Sequence, residues 1–141
     1  MVSDLASDLG TGLAYTASGV ALMLLGVLVI DVLVPGNVRE LVWEQRNANL
    51  ALVLAAELVG VGAIVTSAIL SSDDDFGRGI AATAGFGILG LVLMALAFLV
   101  VDLLTPGRLG ALLAEELPHP AAWVTAAAHL ATAAIIAAAI S

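Results

Sequence analysis

The sequence predicts an all-helical membrane protein with four transmembrane helices, arranged as two tandem parallel two-helix repeats. Three observations support this prediction. The chain is too apolar for a soluble fold, four segments are long and apolar enough to cross a bilayer, and the second half repeats the first. The 141 residues are therefore predicted to form a single membrane domain surrounded by lipid bilayer.

The composition excludes several classes of protein. Hydrophobic residues make up 62% of the chain and charged residues 11%, whereas soluble domains carry roughly 25% charged residues. The net charge is −8 and all four basic residues are arginine, so there is no basic patch for nucleic acid. The absence of cysteine excludes disulfides, thiolate metal sites and thiol catalysis.

Four apolar segments are candidates for membrane spans. A helix needs about 20 apolar residues to cross the hydrocarbon core, and it must be a helix because lipid cannot satisfy open backbone groups. The segments comprise residues 9–30, about 50–70, 79–101 and about 121–140. Glu57 and His129 are the ionisable residues inside them.

The second half of the chain aligns with the first half after a shift of 71 residues, without a gap. Segment 18–69 matches segment 89–140 at 20 of 52 positions. Repeat one covers about residues 9–70 and repeat two about 79–141. Since each repeat holds two spans, both enter the membrane in the same direction, which predicts a pseudo-two-fold bundle about an axis along the membrane normal.

Both repeats carry an aspartate followed by Pro-Gly near the end of the first span. Asp31 precedes Pro35-Gly36, and Asp102 precedes Pro106-Gly107. Proline disfavours helical backbone in the residue before it and glycine admits left-handed backbone, so the pair ends the helix. The residues that follow are predicted to form a short amphipathic helix in the headgroup interface.

Glycines are spaced for helix packing. Gly12, Gly19 and Gly26 recur every seven residues on the first span, and Gly60 and Gly90 lie on the second and third spans. Small residues let helix backbones approach closely in a membrane. These positions are predicted to be contacts within the bundle or between copies of the chain.

The arginines suggest an orientation. Arg39 and Arg46 lie between the first two spans and Arg108 between the last two, whereas the middle loop pairs Arg78 with three aspartates at 73–75. The positive-inside rule then places both termini outside the plasma (inner) membrane of a prokaryote. The three adjacent aspartates are interpreted as a solvated turn, because a calcium loop needs spaced ligands.

Four ionisable residues in or near the spans are candidate functional residues: Asp31, Asp102, Glu57 and His129. The two aspartates would either line a polar path as a symmetric pair, or accept hydrogen bonds from nearby backbone close to the interface. Glu57 would be a proton or cation site, or a protonated carboxyl bonded to a neighbouring helix.

Glu57 and His129 are predicted to lie at similar depths, because position 129 matches position 58 in the repeat. The sequence therefore predicts a pair across the bundle. Thr125 and Thr132 share a helix face with His129 and would line a polar path or bond between helices.

No motif predicts catalysis. The sequence lacks a nucleophile elbow, a zinc-protease motif and a phosphate-binding loop, and its two histidines are too few for a histidine-rich metal site. The prediction is a protein that is not an enzyme and has no cofactor or metal.

The pattern resembles the bacterial and archaeal membrane family called domain of unknown function 350. The shared features are the tandem two-helix repeats, the aspartate before Pro-Gly, the stretch from Arg46 through Asn47 and Asn49, and Ser67-Ala68-Ile69. Repeat two departs from the pattern, with Leu-Pro-His-Pro in place of the asparagine stretch. The resemblance implies a four-span inner-membrane protein and no defined reaction, with a contextual association to membrane-stress systems.

Two functions remain open at this point. The first hypothesis is a non-enzymatic module of the cell envelope that forms homo-oligomers or binds another membrane protein. The alternative is a small ion or proton channel, or a transporter subunit, that uses the intramembrane carboxylates.

Overall fold

The computed structural model describes residues 1–72 and 75–141, and in this part of the chain it contains helices and no strand. The elements are α1 Val2–Leu33, a π-helical turn Glu40–Glu44, α2 Ala48–Leu70, α3 Phe76–Leu104, α4 Leu109–Leu113 and α5 Pro120–Ile140. The four long helices, α1, α2, α3 and α5, are each long and apolar enough to cross a membrane. The predicted all-helical, four-span fold is confirmed.

Two helices extend beyond the predicted spans. α1 has 32 residues and α3 has 29, which correspond to lengths of about 48 and 44 Å. The predicted spans cover only the apolar part of each helix. Each helix continues into flanking residues where no proline stops it. The first nine residues of α1, which include Asp4 and Asp8, are exposed.

The loop between α2 and α3 is only partly described. Asp73 and Asp74 of the predicted acidic turn lie outside the described residues. Asp75 caps α3, and its carboxylate accepts a hydrogen bond from the Arg78 amide at 3.1 Å. This local role fits the first turn of a helix, where backbone N–H groups have no helical partner.

A short helix follows each Pro-Gly, as predicted. Gly36 and Gly107 have φ angles of 107° and 95°, a backbone region that favours glycine. The apolar side chains of both short helices are buried in the largest hydrophobic cluster, among them Val38, Leu41, Leu109 and Leu113. Their apolar faces therefore pack on the bundle, and the location of the short helices in the headgroup interface stays a prediction.

The helix packing departs from the predicted two-fold arrangement. α2 and α5 form the most extensive contact, and α3 packs on α1, α2 and α5, but α1 and α5 hardly touch. A two-fold axis would make the α1–α5 contact equal to the α2–α3 contact. Ile64 on α2 is 1% exposed while Ile135, its counterpart on α5, is 70% exposed.

Glycine explains the close packing of α2. A Cβ added at Gly60 would lie 2.9 Å from the Cβ of Ala133 and 2.8 Å from the Cε of Met94. A Cβ added at Gly90 would lie 2.5 Å from Ile64. In the second repeat, Ala131 of α5 occupies the position that matches Gly60. Its methyl group disfavours an equally close approach of α1 to α5.

The remaining predicted packing glycines differ in their surroundings. Gly19 faces Val65 and Gly26 faces Glu57, each with a hypothetical Cβ contact of 3.3 Å. Among residues 1–72 and 75–141, no atom lies within 4 Å of a Cβ added at Gly12. Of the two predicted roles, a contact between copies of the chain fits Gly12 better than a contact within the bundle.

Gly60→Ala is expected to destabilise the protein by about 1–3 kcal/mol, because the Ala133 methyl group is fixed to its backbone and cannot move aside. Gly12→Ala is the matched control and should stabilise the protein by up to about 1 kcal/mol through helix propensity alone. Unfolding in mixed detergent micelles, followed by circular dichroism, measures both. Equal stability of the two variants would contradict the close packing of α2 on α5.

Candidate functional site

The structure joins Glu57 of α2 to His129 of α5. The imidazole Nδ1 lies 2.6 Å from the carboxyl Oε2, and the exposed fractions of the two residues are 0% and 1%. The predicted contact between these residues is confirmed. An ionisable pair inside a transmembrane bundle is costly and is by default a candidate functional site.

A hydrogen-bonded clamp joins the start of α2 to the loop before α5. The Asn49 amide donates to the Leu117 carbonyl at 2.8 Å, and its oxygen accepts from the His119 N–H at 2.9 Å. The Asn47 amide donates to the Glu115 carbonyl at 3.1 Å. The asparagine stretch of repeat one thus satisfies the backbone of the Leu-Pro-His-Pro stretch that replaces it in repeat two.

The clamp fixes the relative register of the two helices. α2 begins at Ala48 and α5 at Pro120. Glu57 and His129 therefore both come nine residues after the start of their helices, at a depth of about 13 Å. Equal depth brings the carboxyl opposite the imidazole.

All four long helices enclose the pair. A Cβ added at Gly26 of α1 would lie 3.3 Å from the Glu57 Oε1 and 3.3 Å from Leu91 of α3. The ring of Phe98, also on α3, meets the His129 ring edge-to-face at a centroid distance of 6.3 Å. Gly26, predicted as a packing residue, leaves space for the Glu57 carboxyl. No signal in a single sequence identifies Leu91 or Phe98 as neighbours of the pair.

Two atoms of the pair have no hydrogen-bond partner within residues 1–72 and 75–141: the Glu57 Oε1 and the His129 Nε2. A net charge in this apolar site would be costly, so the pair is expected to be neutral overall. When the carboxylic acid donates from Oε2 to Nδ1, or when the pair is a carboxylate with an imidazolium, the other ring nitrogen, Nε2, carries a proton. The site thus offers one unused acceptor and one unused donor.

Asp31 and Asp102 have a different role from the pair. The Asp31 carboxylate accepts from the Val38 N–H at 2.8 Å, and the Asp102 carboxylate accepts from the Leu109 N–H at 2.7 Å. Each bond spans seven residues and closes the Pro-Gly loop of its own half. The structure matches the structural interpretation of the aspartates and does not bring them to Glu57 and His129.

The predicted polar stripe on α5 is satisfied locally. The Thr125 hydroxyl donates to the Ala121 carbonyl at 2.7 Å, and the Thr132 hydroxyl donates to the Ala128 carbonyl at 2.8 Å. Each hydroxyl donates its proton within its own helix, and neither bonds another helix among the described residues. Within the described part of the chain, no group of three or more histidine, cysteine or acidic residues is arranged to hold a metal ion.

The fold and the site together define the class of this protein. It is a four-span helical membrane protein with an ionisable pair buried inside its bundle. The family model described as Domain of Unknown Function (DUF350) matches residues 4–140. The chain belongs to this family, and the predicted resemblance is confirmed.

Curated relatives carry the name UPF0719 transmembrane protein. The chain is 33% identical to that of Mycolicibacterium paratuberculosis over 127 residues, which cover 90% of this chain and 84% of the relative. It is 38% identical to the proteins of Mycobacterium bovis and Mycobacterium tuberculosis over 128 residues, with the same coverage. No solved structure matches the chain. The relatives support a multi-pass transmembrane protein.

Replacing the aspartates tests their capping role. Asp31→Ala and Asp102→Ala should each cost about 1 kcal/mol of stability, because the Val38 and Leu109 N–H groups lose their acceptor. Asp31→Asn and Asp102→Asn should retain most of the stability, since an asparagine oxygen accepts the same bond. The measurement is detergent unfolding by circular dichroism. A loss as large in the Asn variants as in the Ala variants would show that the negative charge, not the cap, is needed.

Replacing Glu57 tests the pair. In Glu57→Gln the side chain cannot share a proton with the imidazole, so the His129 ring nitrogens should report one fixed neutral tautomer. Nitrogen-15 NMR of the histidine rings across a pH series measures this, with His119 as the internal control. Identical His129 signals in the wild type and the variant would contradict the pairing.

Proposed function

We propose that the protein conducts protons across the membrane, as a small channel or as a subunit of a proton-coupled transporter, through Glu57 and His129. The observation that supports this proposal is the buried pair, whose Oε1 and Nε2 have no hydrogen-bond partner in the part of the chain that the structure describes. A purely structural bond between helices would not need two ionisable groups, because an amide and a hydroxyl provide the same hydrogen bond at lower cost.

The geometry allows a relay in which protons balance. A proton arrives at the Glu57 Oε1, the proton on Oε2 moves across 2.6 Å to the Nδ1 of His129, and the proton on Nε2 leaves. The three transfers are concerted, so one proton enters as another leaves and the pair stays neutral. The pair resets when the carboxyl proton returns from Oε1 to Oε2 and the ring proton returns from Nδ1 to Nε2.

The surroundings of the pair favour protons over larger ions. Leu91 and Phe98 pack around it, and a single four-helix bundle has no space for a wide pore. A proton passes along hydrogen bonds, whereas a metal ion needs several oxygen ligands in place of its hydration shell. We therefore favour proton conduction over conduction of metal ions.

The orientation belongs to the same proposal. Gly110 of α4 packs against the Leu33 carbonyl and Pro35 at the end of α1, so the loops that carry Arg39, Arg46 and Arg108 share one end of the bundle. The positive-inside rule then puts that end in the cytoplasm and both termini outside.

A second candidate is a non-enzymatic module that forms oligomers or binds a partner in the cell envelope. Gly12 supports it, because this predicted packing position on α1 meets no atom of the described residues. Small residues on an exposed helix face allow close packing with another helix in the membrane. Proton flux separates the two candidates.

Liposomes that contain the purified protein are expected to show proton flux under an imposed pH gradient and potential, measured with an internal pH-sensitive dye. Glu57→Gln and His129→Gln should lower the flux by about tenfold or more, because each removes one of the two proton-transfer groups. Potassium flux, measured in the same vesicles, should stay at the level of empty liposomes.

Two variants serve as matched controls. Thr83→Val removes a buried hydroxyl about 12 Å along α3 from Leu91, and Glu116→Gln removes an exposed carboxylate. Both should keep wild-type flux. Flux no higher than in empty liposomes, from wild-type protein that is folded by circular dichroism, would reject the proton pathway and leave the oligomeric module as the function.

A further inference from the structure

A groove outside the buried pair lies between α1 and the π-helical turn. It has a volume of about 610 Å³ and is lined by Val27, Arg39, Trp43 and Glu44. Val27 lies six residues before the end of α1 at Leu33, so the groove reaches about 9 Å down the helix from its end. The groove therefore joins an apolar part along α1 to a charged part at the end of the bundle.

The backbone around the groove is unusual. The Gln45 N–H bonds the Glu40 carbonyl at 3.0 Å, which is the five-residue spacing of a π-helix. Arg46 follows with a φ angle of 54°, and the Asn47 N–H bonds the Leu41 carbonyl at 2.9 Å. Single π-helical turns and non-glycine residues with positive φ are uncommon and often occur at functional sites.

The two charged groups at the mouth of the groove are opposite in sign and free to bind. Among residues 1–72 and 75–141, neither Arg39 nor Glu44 forms an ion pair. Trp43 lies between them in sequence and is 66% exposed. Exposed tryptophan rings favour the boundary between bilayer and water, where lipid headgroups lie.

We propose that this groove binds one phospholipid with an amine headgroup, of the phosphatidylethanolamine class. The Arg39 guanidinium would bind the phosphate, the Glu44 carboxylate would accept hydrogen bonds from the primary ammonium, and an acyl chain would lie against Val27 and Trp43. Arginine matches phosphate through several N–H donors, and a charge-assisted bond favours an ammonium that can donate over a trimethylammonium that cannot.

The second repeat lacks two of the residues that line this groove. The positions that match Arg39 and Trp43 are Gly110 and Ala114. A Cβ at Gly110 would lie 2.8 Å from the Leu33 carbonyl, so α4 packs directly on the end of α1. One lipid per chain is therefore expected, at the half of the molecule that carries arginine and tryptophan.

The chain has two tryptophans, which allows a direct test. In a Trp123→Phe background, Trp43 is the only tryptophan and its fluorescence is quenched by neighbouring lipids that carry bromine near the carbonyl end of an acyl chain. Phosphatidylcholine vesicles are titrated with brominated phosphatidylethanolamine, phosphatidylcholine or phosphatidylglycerol. Half-maximal quenching should need about two- to fivefold less phosphatidylethanolamine than either other lipid.

Variants assign the contacts. Glu44→Gln should abolish the preference for phosphatidylethanolamine over phosphatidylcholine, and Arg39→Gln should weaken binding of all three phospholipids. Glu116→Gln, which removes an exposed carboxylate from the loop before α5, should change nothing. The Trp43→Phe protein, whose remaining tryptophan is Trp123, should be quenched without selectivity.

Three results would overturn the proposal. Equal quenching of Trp43 by all three lipids would show ordinary contact with the bilayer. A preference for phosphatidylglycerol would show that Glu44 does not select an amine. No quenching by any lipid would show that something other than lipid covers Trp43.

Discussion

The position of the buried pair depends on the Asn49 side chain, which bonds two backbone groups of the loop before α5. A buried backbone carbonyl or N–H that a proline-rich loop leaves unpaired is costly, and Asn49 is only 4% exposed at this contact. Asn49 satisfies the Leu117 carbonyl and the His119 N–H together, so α2 and α5 have one favourable register. Because that register places Glu57 and His129 at equal depth, the site follows from a contact about 12 Å away along α2.

The two halves of the chain agree in their local structure and differ at the candidate sites. Asp31 and Asp102 close equivalent Pro-Gly loops through equivalent hydrogen bonds. Glu57, however, matches Ala128 in the repeat, and Arg39 matches Gly110. A duplicated helical pair explains the scaffold, whereas each proposed function uses residues that only one half carries. The unequal α2–α3 and α1–α5 contacts also arise from residues that only one half carries, because a few glycines decide which helices approach closely.

The sequence was sufficient to predict the spans, the Pro-Gly breaks and the Glu57–His129 contact, because these depend on apolar length, on backbone restrictions and on position along a helix. It was not sufficient to predict the burial of Val38 and Leu109 in the bundle. An amphipathic pattern shows that a face avoids water, but lipid and protein satisfy that requirement equally well. Gly26 shows the same limit, because its spacing predicted a contact and only the three-dimensional packing identifies the Glu57 carboxyl as the neighbour.

The lipid groove and the buried pair are connected through one segment of the chain. Asn47 ends the π-helical turn through its bond to the Leu41 carbonyl, and its side chain also bonds the Glu115 carbonyl. The backbone that presents Trp43 and Glu44 is thus continuous with the clamp that sets the register of α2 and α5. A bound headgroup shifts an equilibrium only if it binds two arrangements with different affinity. Arg46, whose φ angle of 54° is uncommon for a residue with a side chain, lies between the groove and the clamp, so only a headgroup that favoured one backbone arrangement at Arg46 would also bias the register of α2 and α5.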